Sequence, residues 1–257
     1  MTEHSDIKLI LGDCIDVVAG LEPQSVDAII TDVPYGTTKI KWDTIIPFDD
    51  LWRIVKHVLK PNGVFVTTSC QPFSSALVMS NPKMFSYEWI WVKNRGSGHL
   101  NARKVPMRYH ENVLVFYYGT PTYNPIHEDY SETSKRRAKS GSVYSPKTKK
   151  SKENIVYGKF NNNPTIRIRC DGRYPSTVKY FDVVNIQNGG RIHPTQKPLP
   201  LFEYLIKTHS NEGDTVMDIC MGSGTTMEAC VNTGRKGIGI EKEQKYYDIA
   251  VSRLGQS

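Results

Sequence analysis

Asp32-Val33-Pro34-Tyr35 follows the apolar run Val26-Asp27-Ala28-Ile29-Ile30-Thr31 directly. A carboxylate, a proline turn and an aromatic ring therefore stand together at the end of a run that reads as a buried strand, which is where open α/β sheets keep their chemistry. A carboxylate accepts hydrogens and a ring packs against a flat face, so the pairing suits an amino group on a planar heterocycle. The same residues also fit an ordinary strand-ending turn, with Gly36 closing it.

A second pattern stands almost two hundred residues on. Thr215-Val216-Met217-Asp218-Ile219-Cys220 reads as another buried strand, and Met221-Gly222-Ser223-Gly224-Thr225-Thr226 turns it into a helix-like stretch. Glycines at such a turn let a ligand approach the backbone closely. The next strand, Lys236-Gly237-Ile238-Gly239-Ile240, ends on Glu241, about 20 residues after the loop, where a carboxylate that binds ribose hydroxyls is expected. Together they describe a nucleoside site. Met227 stands where a dinucleotide fingerprint has its third glycine, and no Gly-Lys-Ser/Thr follows as in a phosphate loop.

These residues need a sheet to hold them. Segments 7–11, 26–31, 64–69, 88–92, 112–118, 215–219 and 237–241 read as strands by their β-branched and aromatic content. Helices are expected from about Phe48 to Leu59, stopped by Lys60-Pro61-Asn62-Gly63, and over 73–79, 198–208, 225–233 and 244–254. Such alternation predicts a mostly parallel α/β sheet with helices on both faces.

With these motifs in that order, the chain resembles the amino-methylating DNA methyltransferases, which use S-adenosylmethionine (SAM) to modify adenine N6 or cytosine N4. Asp32, Val33, Pro34 and Tyr35 resemble their catalytic D-P-P-Y. Asp218, Gly222, Ser223, Gly224, Thr225 and Thr226 resemble their SAM loop. His193-Pro194-Thr195-Gln196-Lys197-Pro198 is similar to the segment that helps hold the methionine end, and Leu11-Gly12-Asp13-Cys14 to the one whose carboxylate reaches the cofactor's adenine. Catalytic motif first and cofactor loop last is the order of the family's β class, a circular permutation. The resemblance spans roughly residues 7–120 and 174–254. It implies a Rossmann-like SAM-dependent methyltransferase fold with an antiparallel edge strand. It also assigns stacking on a flipped base to Tyr35, hydrogen-bond acceptance to Asp32 and the Val33 carbonyl, the ribose to Glu241, and the rest of the cofactor to Asp13, Cys14, His193, Pro194, Thr195, Lys197 and the loop. Val33 replaces the first proline, and Ile219-Cys220 replaces the usual Pro-Phe after the loop's aspartate. At Val33 the loop lacks proline's fixed φ, and with it that source of rigidity.

The charge is concentrated. Between Ser131 and Cys170 stand eleven basic residues and two acidic ones, a local balance of +9 within a chain total of +7. Lys135, Arg136, Arg137, Lys147, Lys149, Lys150 and Lys152 carry most of it, with Tyr130, Tyr144, Tyr157 and Phe160 interleaved. A basic, loop-rich insert suits a module that grips phosphates, although charge runs are more often solvated loops. Its place between the two halves is where the β class carries target recognition. The chain thus divides into a catalytic half (1–122), a basic insert (123–173) and a SAM-binding half (174–257).

Length, 39% hydrophobic and 23% charged residues describe an ordinary globular protein. The start is polar, and no apolar run approaches the ~18 residues a spanning helix needs, so no membrane partner is expected. Five scattered cysteines form no C-x-x-C pair, which argues for a reducing cytoplasm and against a zinc or disulfide framework. His99 and His110 lack a third ligand at metal spacing, so no metal is expected. Cys70 has its proline on the wrong side for a cytosine-C5 nucleophile, and Trp42 fits a base-pocket wall as well as core. The expected activity is methyl transfer from SAM to adenine N6 of double-stranded DNA. Cytosine N4, or an impaired SAM- and DNA-binding module, stays open, as do a homodimer and a cognate restriction enzyme.

Overall fold

The computed structural model describes residues 6–37, 40, 43–129, 172–184 and 196–255. Two compact units divide the chain, Met1–Asn124 with Ser176–Ser257, and Pro125–Pro175. Within the smaller unit the Glu128 and Arg173 backbones exchange two 2.9 Å hydrogen bonds, their side chains pair at 2.6 Å, and the His127 and Tyr174 rings stand 5.2 Å apart. The basic residues Lys135 to Lys152, and Trp42, lie outside the described residues.

The larger unit is an eight-stranded sheet: β1 (Ile7–Leu11), β2 (Val26–Thr31), β3 (Leu59–Ser69), β4 (Phe85–Ser97), β5 (Arg108–Phe116), β6 (Val178–Tyr180), β7 (Thr215–Asp218) and β8 (Lys236–Glu241), in the order β1-β8-β7-β2-β3-β5-β4-β6. Among the described residues six α-helices cover it: α1 (Cys14–Ala19), α2 (Phe48–Val58), α3 (Phe73–Ser80), α4 (Leu199–His209), α5 (Thr225–Thr233) and α6 (Gln244–Arg253). β2 shows why both faces must be covered. Ala28 and Ile30 point into one core with Leu201, Phe202, Met227 and Ala250 from α4, α5 and α6. Ile29 points into the other with Val18, Leu51, Ile54 and Leu77 from α1, α2 and α3. A strand buried on both faces reads as a continuous apolar run, as this one does. In α2 the buried Leu51, Ile54, Val55 and Val58 recur at helical spacing, with Asp49 and Asp50 in the first turn and Lys56 and His57 in the last, matching the helix dipole.

β1 pairs in parallel with β8, and α6 packs on both, so the strand that opens the chain lies beside the one that nearly closes it. Joining α6 to β1 would give an uninterrupted β–α succession from β7 to β3. That is the physical content of the circular permutation.

The sheet departs from the sequence reading in four places. The antiparallel strand is β5, flanked by β3 and β4 rather than at an edge, because the chain folds back after β4 and enters the gap; β6 takes the edge, parallel to β4. Lys60-Pro61-Asn62-Gly63 does end α2, yet it belongs to β3, as a bulge in which Val26 pairs with Leu59 and Ala28 with Val64. Gly63 is needed there, since a Cβ would lie 2.5 Å from the Leu59 side chain. β4 runs thirteen residues, extended at both ends by the hairpin with β5. The short elements α1 and β6 carry too little periodicity to read. α1 begins where the Asp13 carboxylate caps Ile15 N–H at 3.0 Å, and β6 exists only through β4.

Candidate active site

β7 and β2 are neighbours, but from β7 the chain crosses to β8 on one side and from β2 to β3 on the other. Diverging connections open a crevice at the carboxyl ends of adjacent strands. Thr31, the last residue of β2, donates to Asp218 Oδ1 at 2.6 Å, and Cys220 N–H donates to the same oxygen at 3.0 Å; Thr226 donates to Oδ2. Asp218 is thus a clasp across 187 residues of sequence, with both oxygens engaged inside the protein. Burial pushes its carboxyl up to about 6 even though the three hydrogen bonds favour the charged form.

Beyond the clasp the chain makes its glycine turn. Gly222 (φ 53°) and Gly224 (φ 80°) are left-handed, a conformation that costs a side-chain-bearing residue free energy. Gly222 N–H donates to Glu241 Oε2 at 2.9 Å, and Glu243 N–H to Oε1 at 2.7 Å. Burial nonetheless holds the Glu241 carboxyl above its ordinary value. Two backbone donors aim this carboxylate and leave further lone pairs for hydroxyls. Asp13 reaches the same space from the start of α1, paired with Lys242 at 2.9 Å, whose hydrogen bond lowers the Asp13 carboxyl. The Cys14 and Cys220 thiols touch there, both reduced. Gly224 stands behind the turn, where a Cβ would meet Ala250 Cβ at 3.1 Å.

The polar end is built on Asp32. Its Oδ1 accepts from the Tyr35 hydroxyl at 2.5 Å and from Thr68, and its Oδ2 is paired with Lys197 Nζ at 2.7 Å. The Tyr35 ring packs against Phe73 at 5.4 Å. Burial, with the Asp32 and Glu111 charges, keeps its phenol far from ionising. Val33 is 3% exposed and packs into the α1–α3 core, so buried contacts hold the loop where proline's fixed φ is missing. Glu111, from β5, faces Lys197 at 3.5 Å and Lys93 at 3.1 Å. Burial opposes charge on both Lys197 and Glu111, and the opposite charges overcome it: the Lys197 ammonium is held above its ordinary value, and the Glu111 carboxyl below.

One cavity of about 910 Å3 joins these pieces. Asp13, Cys14, Asp32, Val33, Pro34, Tyr35, Lys197, Asp218, Gly222, Ser223, Thr225, Thr226 and Glu241 all line it. Of the sequence-derived set, Gly224 supports the turn from outside, and His193, Pro194 and Thr195 lie outside the described residues. Lys197, expected toward the methionine end, sits on Asp32. Thr31, Thr68, Lys93, Glu111 and Lys242 were not singled out by the sequence reading. The polar triplet Thr67-Thr68-Ser69 closing an apolar strand was a visible signal; Glu111 had none, since only β5 crossing to β3 brings it in. Cys70 lines the cavity too, but burial pushes its thiol up, away from a nucleophile.

A model of the N6/N4 methyltransferase family, described as DNA methylase, matches residues 26–252. The chain belongs to this family. The methylase is 30% identical to the type II methyltransferase M.HpaI of Haemophilus parainfluenzae, over 97% of this chain and 74% of that one. It is 26% identical to M1.MboII of Moraxella bovis over 95% of each. The crystal structure of the M1.HpyAVI–SAM complex superimposes with a TM-score of 0.62 at 25% identity, covering 96% of this chain and 98% of that one. The PvuII cytosine-N4-specific methyltransferase does so with a TM-score of 0.65 at 18% identity, covering 97% and 86%.

The clasp makes the methylase's stability depend on pH. Asp218 has a folded value of about 6 against an ordinary 3.8, so its contribution is full below 3.8 and is lost as pH rises through 6. Asp218→Asn should remove that loss. In denaturant titrations the variant is expected to gain on wild type by on the order of 3 kcal/mol between pH 4 and 7, flattening above. A constant difference across that range would refute the assignment.

Proposed function

We propose that this DNA methyltransferase transfers a methyl group from SAM to adenine N6 of double-stranded DNA, as the modification enzyme of a type II system. The observation that carries the reading is the single cavity in which Asp32 and Tyr35 face the glycine turn and Glu241. Its volume lies near the top of the ~300–1,000 Å3 usual for ligand pockets, in keeping with a nucleoside cofactor and a base together. The left-handed Gly222 and the backbone-anchored Glu241 fit a nucleoside cofactor, with Glu241 on the ribose, Asp13 on the adenine and Gly222 to Thr226 along the methionine end. SAM, once bound, supplies a methyl group on a positively charged sulfur.

The chain's own residues do the rest. An exocyclic amine is out of reach inside a duplex, so the base is turned out into the cavity, where Tyr35 stacks on it. Asp32 and the Val33 carbonyl accept the two N–H hydrogens, which draws the nitrogen lone pair out of conjugation with the ring and aims it at the methyl group. Positioned acceptors and excluded water supply the rate, with no covalent enzyme intermediate. The resemblance favours adenine, since within the family a carboxylate at the first position of the tetrapeptide, here Asp32, is commoner among adenine enzymes and a serine among cytosine-N4 enzymes. The basic insert around Lys135 to Lys152 grips the phosphates.

Mixed-sequence DNA incubated with methyl-labelled SAM and digested to nucleosides is expected to yield N6-methyladenine; N4-methylcytosine alone would move the target to cytosine. Asp32→Ala should bind SAM normally and lose methyl transfer by about a hundredfold or more, the scale of removing a preorganised polar group. Wild-type turnover in that variant would sink the mechanism. Reversing Lys147, Lys149, Lys150 and Lys152 to glutamate should weaken DNA binding and flatten its dependence on salt, with SAM affinity unchanged. A variant that binds DNA as tightly as wild type at both low and high salt would return this segment to a solvated loop.

A further inference from the structure

Both oxygens of Asp32 have partners as it stands. Tyr35 and Thr68 occupy Oδ1, and the Lys197 ammonium occupies Oδ2 at 2.7 Å. The same ammonium stands 5.4 Å from the centre of the Tyr35 ring, over its face. An incoming base therefore meets Lys197 at both places the mechanism needs, the carboxylate and the ring. Lys197 is 10% exposed, so withdrawal into water is not close at hand. Glu111 offers the alternative. Its Oε1 takes Lys93 at 3.1 Å, while its Oε2 is buried without a hydrogen bond and faces Lys197 Nζ at 3.5 Å, an ion pair just beyond hydrogen-bond length. A buried carboxylate oxygen held by so long a contact gains from a closer approach of the ammonium.

We propose that Lys197 is a two-seat latch, moving its ammonium from Asp32 Oδ2 to Glu111 Oε2 when the target base enters, with Glu111 as the positioning residue that receives it. The inference rests on the proposed function and deepens it. In the closed seat Lys197 compensates the half-buried Asp32 charge while no base is present. In the open seat it satisfies Glu111 and leaves Asp32 Oδ2 to the amine. Lys93 keeps Glu111 ionised in both, and two lysines and two carboxylates keep the cluster neutral in either seat until the proton is transferred. Departure of the ammonium also helps the last step. The methylated nitrogen must shed a proton: its N–H bond breaks with the electron pair returning to nitrogen, and the O–H bond forms on Asp32 Oδ2. An ammonium still seated there would oppose the proton's arrival.

The test is single-turnover methyl transfer on DNA that the wild-type enzyme methylates, beside SAM binding by calorimetry. Glu111→Gln keeps the shape and the Lys93 contact but removes the charge that draws Lys197 away. It is expected to slow methyl transfer about tenfold or more, with the SAM dissociation constant within about twofold of wild type. Lys197→Met removes the latch, so adding Glu111→Gln to it should cost nothing further, the non-additivity expected of groups acting as a unit. Should Glu111→Gln fail to fold, Glu111→Asp withdraws the second seat by one methylene and is expected to slow transfer likewise. A wild-type rate in the folded Glu111 variant, an equal loss with and without Lys197, or a loss confined to stability overturns the latch. A wild-type enzyme that methylates no DNA would instead overturn the proposed function.

Discussion

Everything at the site depends on two parallel strands, β2 and β7, lying side by side although they are far apart in sequence, and on the buried Asp218 carboxylate that ties their ends. Backbone pairing of Ala28 with Val216 and Ile29 with Met217 sets the register. The Thr31 and Thr226 hydroxyls then anchor both oxygens of Asp218, so the glycine turn on one strand cannot shift without pulling on the loop that follows the other. A buried carboxylate is tolerated only when its lone pairs are used, and here three donors use them. Such rigidity suits a reaction whose rate comes from holding two groups at a fixed separation.

A second constraint is electrostatic. Asp32, Glu111, Lys93 and Lys197 form a mostly buried cluster of balanced charge, drawn from the turn after β2, from β5, from β4 and from the segment before α4. Buried ion pairs often contribute little net stability, because desolvation offsets attraction, but removing one member of a set leaves a strongly disfavoured charge. That makes the cluster all-or-none in composition while leaving Lys197 free to choose between two carboxylates. Position is therefore the variable that ligand entry can change.

The chemistry-bearing residues were legible in the sequence because each sits in a local pattern with a physical cause. Asp32 to Tyr35 end a strand whose run of apolar residues announces burial. Gly222 and Gly224 are required by left-handed backbone, and Glu241 lies one β–α–β step beyond them. The long strands and helices were legible too, since α2 repeats its apolar positions at helical spacing and β2 is apolar throughout. Short elements were not: β6 has three residues and forms through its neighbour alone.

By itself the sequence determined the motifs, their order and the family those motifs resemble, all of which depend on residues close together along the chain. Only the tertiary structure decided that Lys197 sits on Asp32, that Thr68 and Glu111 belong to the site, and that β5 inserts between β3 and β4. The reason is the same in each case. These contacts join residues separated by 36 to 165 positions, or depend on which strand enters which gap, and strand order is settled by burying both faces of the whole sheet at once.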